Sequence, residues 1–162
     1  MTSKALASDD APVDFGVLLN LAFGSFKMQL HAALAHAGFD DIGASFGYVF
    51  RLLAAEPSNL RDVAHALAIS APGALKIIND MVDKGYVERL EHALDARQKL
   101  LALTPRARRA MGAARRFHAE FEQELAQRIG PRRAAAARAA LEAIVADAEA
   151  RSPAGAISLR PL

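Results

Sequence analysis

Apolar residues recur every three or four positions over most of the chain, the spacing of helices that bury one face. Over residues 13–36 the stripe is Phe15, Leu19, Ala22, Phe26, Leu30 and Ala33, widened by Leu18, Phe23 and Leu34, and Gly38 is placed to end the helix. A second helix is expected over 43–55, with Phe46, Val49, Phe50 and Leu53 on one face and Pro57 stopping it. Asn59 is a candidate N-cap with Asp62 at capping-box spacing, and Leu60, Val63, Ala64 and Leu67 form the inner face of a short third helix. Ser70 can cap a fourth helix running to about Lys84. Pro72 sits in its first turn, where a missing N–H costs nothing, and Gly85 closes it. Ala74, Ile77, Ile78 and Met81 would face inward. Two short helices joined by a tight turn are the helix-turn-helix outline.

The period then changes. Residues 86–91 and 98–103 read as two strands around a charged tip, "DAR". Pro105 can open a long helix to Ile129, with Ala107, Ala110, Met111, Ala114, Phe117, Phe121 and Leu125 on one stripe. Gly130-Pro131 breaks it, and an alanine-rich helix over 132–150 follows, marked by Leu141, Ile144 and Val145. Residues 1–12 read as a disordered tail and 151–162 as an irregular one. There is no internal repeat.

Composition narrows the function classes. Of 162 residues, 52% are apolar and 23% charged, the balance of a folded domain able to bury a core. The absence of cysteine excludes disulfides, thiolate metal sites and thiol redox chemistry within the chain. The opening "MTSKALASDDAP" lacks the apolar run of a secretory signal, and no segment approaches the roughly 18 apolar residues of a membrane span, so a cytoplasmic protein is expected. A net charge of +2 says nothing by itself about nucleic acid; the placement of the charges must. No phosphate-binding loop, nucleophile elbow or clustered acid–base pair supports an enzyme, and no cofactor is implied. The histidines 31, 36, 65, 92 and 118 have no same-face metal spacing, so no metal site is assigned; a metal-responsive regulator stands only as an alternative.

The stretch "LRDVAHALAISAPGALKIINDMVDKGYVERL" followed by "DARQKLLALT" resembles the MarR family of bacterial transcription regulators. The resemblance rests on a helix-turn-helix, then Gly85, Tyr86 and Val87, then Asp95 and Arg97, then Leu101, Leu103 and Thr104 leading into a long helix. The chain departs from the family pattern at Leu75, Lys76, Ala96 and Ala107. The resemblance implies a mainly α fold: a winged helix-turn-helix over 41–103 with a small β-hairpin wing, flanked by dimerisation helices over 13–40 and 104–150.

It also implies a sequence-specific regulator of double-stranded DNA, a repressor released by a small effector, with a winged-helix module acting only through protein contacts as the alternative. A helix fits the major groove and a hairpin tip reaches the adjoining minor groove. On the fourth helix the candidate DNA contacts are Ser70, Ala71, Pro72, Gly73, Leu75, Lys76 and Asn79, the last able to hold adenine by two hydrogen bonds. Arg97 at the wing tip is the candidate for the minor groove, supported by Asp95. Arg89, Lys99, Arg106, Arg108 and Arg109 are candidate phosphate contacts. The apolar surplus on the first and last helices predicts a homodimer on a palindromic operator with half-sites about one turn, roughly 10 bp, apart. Phe23, Phe26, Phe46 and Phe50, with Lys27, His31 and Arg51, are the candidate lining of an effector cleft for an anionic aromatic molecule.

Overall fold

The computed structural model describes residues 12–92 and 95–151. Six helices and one hairpin follow in order: α1 Phe15–His36, α2 Phe46–Ala55, α3 Leu60–Ala66, α4 Ala71–Asp83, β1 Val87–His92, β2 Asp95–Leu103, α5 Pro105–Ile129 and α6 Pro131–Arg151. The expected elements are all present, in the expected order. Among the described residues no helix is long and apolar enough to cross a membrane.

The helix ends show why the boundaries fall where they do. Asn59 accepts from the Asp62 N–H at 3.0 Å, and Ser70 accepts from the Gly73 N–H at 3.2 Å, each side chain satisfying one of the donors a helix start leaves open. At the far end of α4, the Gly85 N–H donates to the Val82 carbonyl and the Tyr86 N–H to the Met81 carbonyl. This paired closure needs a left-handed residue, and Gly85 supplies it at φ +71°. Tyr86 is therefore spent on the cap, and β1 begins one residue later than its apolar pattern suggested. The end of α3 closes in the same way, but there the left-handed position is Ala68 at φ +50°. α2 starts at Phe46 rather than Gly43, and the Phe46 ring folds back over that glycine, where a Cβ would lie 2.8 Å from the ring.

β1 and β2 pair antiparallel, Val87 with Leu103 through Glu91 with Lys99, with an irregularity before His92 meets Asp95. Ser58 adds a single bridge to Leu101 on the open edge of β2. Val87, Leu101 and Leu103 turn one face of the hairpin onto the helices. There they join Phe46, Val49, Phe50 and Leu53 of α2, Val63 and Leu67 of the α3 end, Ala74, Ile78 and Met81 of α4, and Ala107 and Ala110 of α5. Thr104 locks this junction: its hydroxyl donates to the Gly85 carbonyl at 2.7 Å and accepts from the Ala107 N–H at 3.3 Å.

The outer helices are different. α1 buries only Leu34, and α6 buries none of its described side chains. Phe15, Val17, Leu18, Leu21 and Phe23 of α1, and Leu141, Ile144 and Val145 of α6, stay exposed.

Candidate nucleic-acid interface

α4 buries Ala74, Ile78 and Met81 and turns Ala71, Pro72, Leu75, Lys76 and Asn79 outward. Pro72, Lys76 and Asn79 fall at four- and three-residue steps, one line along the exposed side. Lys76 makes no ion pair with any described residue. Ser70 is exposed as well as capping, while Gly73 is half-buried against it. Every expected α4 position thus lies on or beside one uncovered ridge.

The hairpin stands beside this ridge. Arg89 follows Val87 on the sheet face that meets the helices, but its position lies past the buried core, and the side chain is exposed. Its Nη2 donates to Asn79 Oδ1 at 2.5 Å, bridging the hairpin and α4. Lys99 sits opposite Glu91 and pairs with it at 3.0 Å, both side chains largely exposed. The backbones of Asp95 and Arg97 belong to β2, so Arg97 lies just inside the strand; their side chains fall outside the described residues.

Arg106, a candidate phosphate contact, is held by groups of its own chain. It lies in the first turn of α5 and holds both Asp41 carboxylate oxygens, at 3.0 and 3.1 Å, while its guanidinium stacks 4.7 Å from the Tyr86 ring centre. The Tyr86 hydroxyl donates to the same carboxylate at 2.5 Å. The cluster ties the α1–α2 connection to the α4–β1 junction and to α5. Burial works against the Asp41 charge, but the Tyr86 hydrogen bond and the Arg106 charge outweigh it, and the carboxyl titrates below its ordinary value. Burial, then the Asp41 carboxylate, push the Tyr86 hydroxyl above its ordinary value. No local sequence signal joins residues 41, 86 and 106. Arg108 and Arg109, by contrast, are exposed.

A cavity of about 340 Å³ opens between α1, α2 and α5. Phe23, Phe26, Lys27, His31, Phe50 and Arg51 line it, as expected from the sequence. Phe46 does not: it is 2% exposed, and its ring packs edge-on against Phe50 and Tyr86, which takes it into the core instead. Arg115 and His118 of α5 also line the cavity, and sequence reading missed both. Their helix was legible, but the pairing of α5 with α1, seen in the edge-on contact of Phe26 with Phe121, was not. Among the described residues that line it there is no carboxylate. Among the described residues no group of three or more histidines and acids could hold a metal.

No family model matches the chain, and no curated sequence does. Solved structures do match by shape. The MepR–DNA complex of S. aureus superposes with a TM-score of 0.63 at 19% identity, over 82% of this chain and 96% of that one. A mutant MarR from E. coli gives 0.64 at 20% identity, over 84% and 99%. The transcriptional regulator Tm0710 of Thermotoga maritima gives 0.58 at 14% identity, over 80% and 90%. Shared shape at such low identity establishes architecture: the chain has the winged helix-turn-helix fold, set between long helices, of the MarR-type structures.

Proposed function

We propose that this chain is a MarR-family transcription regulator that binds double-stranded DNA in the cytoplasm as a homodimer. One observation carries the reading: α4 is capped, anchored by its inner face and otherwise uncovered, with an aligned Pro72–Lys76–Asn79 edge beside a two-stranded wing. A helix of this width fits the major groove, and the wing beside it is placed to reach the adjoining minor groove. Lys76 and Arg89 supply positive charge to that side, Lys99 being offset by Glu91, and Arg97 is the residue assigned to the minor groove. A protein of the same fold is described in complex with DNA.

The cavity supports a repressor released by a small organic anion. Phe23, Phe26 and Phe50 offer ring faces, and Lys27, Arg51 and Arg115 offer charge with no carboxylate among them, which suits an aromatic acid. Release requires that the ligand favour a spacing of the two recognition helices that does not fit the operator.

The test is a band-shift with the DNA upstream of the chain's own gene, in excess unrelated competitor at moderate salt. The expected result is a competitor-resistant complex whose affinity falls steeply as salt rises. Equal competition by unrelated DNA would sink the reading.

A further inference from the structure

Asn79 can hold adenine only if its amide presents both halves: Oδ1 accepting from the N6 amino group and Nδ2 donating to N7. The fold does not leave both halves open. Arg89 Nη2 donates to Oδ1. A guanidinium carries five N–H donors and no acceptor, so chemistry alone requires the oxygen to face it and turns Nδ2 away as the outward donor. A second lone pair on Oδ1 does not restore adenine reading, because the positive charge beside that oxygen disfavours a further donor. Two neighbouring carboxylates are held by other cations. Asp80 pairs with Lys84 at 2.9 Å, and Glu91 pairs with Lys99 at 3.0 Å. Arg89 and Asn79 are both exposed on the uncovered side of α4. Together they form a unit of charge +1 that offers only donors.

We propose that Arg89 and Asn79 act as one specificity element that selects guanine in each half-site. Guanine presents two adjacent acceptors, N7 and O6, to the major groove; adenine presents one acceptor and one donor. Arg89 also sets the orientation of the Asn79 amide, so a residue of the wing strand determines what the recognition helix reads. The inference rests on the DNA-binding reading above and deepens it.

The experiment is selection of bound sites from a random duplex library by the full-length protein, Arg89→Met and Asn79→Ala, with circular dichroism confirming that each is folded. The wild-type protein is expected to enrich guanine at one position of the half-site. Arg89→Met is expected to move that same position to adenine, leave the others unchanged, and bind the wild-type site about tenfold more weakly. Asn79→Ala is expected to weaken the guanine preference at that position and no other. If Arg89→Met keeps guanine and loses affinity uniformly over all sequences, Arg89 is a phosphate contact and the pairing is overturned. Effects of the two variants at different positions overturn it as well. If the wild-type protein enriches no sequence, the DNA-reading function itself falls, and this inference with it.

Discussion

Two single residues hold conformations or charges that their neighbours impose. Ala68 takes φ +50° because the end of α3 needs a left-handed residue to close its last hydrogen bonds, with the Ile69 N–H on the Ala64 carbonyl. An L side chain there costs about 1–2 kcal/mol, and glycine would relieve it at a smaller entropic loss in the unfolded chain. Ala68→Gly is expected to raise unfolding stability by roughly 0.5–1 kcal/mol, measured by urea denaturation. Asp41 is the second case. Its folded pKa lies below the unfolded value of about 3.9, so its stabilisation is present above that pH and lost as the pH falls through the folded value. Asp41→Asn is expected to cost about 1–2 kcal/mol at neutral pH, allowing for the partial exposure of the pair. That gap from the wild type should close as the pH drops below about 4; a gap constant with pH would show that the carboxylate charge is not what Arg106 and Tyr86 hold.

At the scale of elements, local rules account for most of what is seen. Caps at Asn59, Ser70 and Thr104, prolines at helix starts, and glycines 38, 85 and 130 at positive φ mark the ends that the patterning of the chain predicted. The exceptions are local too: the Phe46 ring lies over Gly43, where α2 was expected to begin, and the α4 cap consumes Tyr86 and delays β1. Among the described residues the hairpin gives the core Val87, Leu101, Ala102 and Leu103, all at the end away from its turn. Arg97→Ala is therefore expected to leave thermal stability and oligomeric state unchanged. It should lower operator affinity by about tenfold or more, a typical cost for losing a specific contact, as measured by fluorescence anisotropy. Undiminished affinity would remove the wing from the interface.

The whole molecule is lopsided. Its core lies in the winged part, while α1 and α6 carry apolar residues that the single chain does not cover. Leu141, Ile144 and Val145 recur at three- and four-residue helical spacing and remain 50%, 44% and 48% exposed. A second copy would bury them, and a twofold pair would set two α4 helices against a palindrome. Ile144→Asp is expected to shift the protein from dimer to monomer in sedimentation and to reduce affinity for a full operator far more than for a half-site. A wild-type protein that sediments as a monomer at micromolar concentration would remove this arrangement.

Helix faces, caps, turns and the hairpin could be read directly from residue order, because each depends on neighbours within a few positions whose spacing is set by backbone geometry. The exposed edge of α4 followed from the same periodicity, since its inner face had to be apolar. The joining of Asp41 to Tyr86 and Arg106, the engagement of Asn79 by Arg89, and the closing of Arg115 and His118 around the cavity could not be read that way. Those side chains carry no mark of their partners. They meet because packing of the shared core fixes the angles between helices and hairpin, and that packing depends on all the buried residues at once.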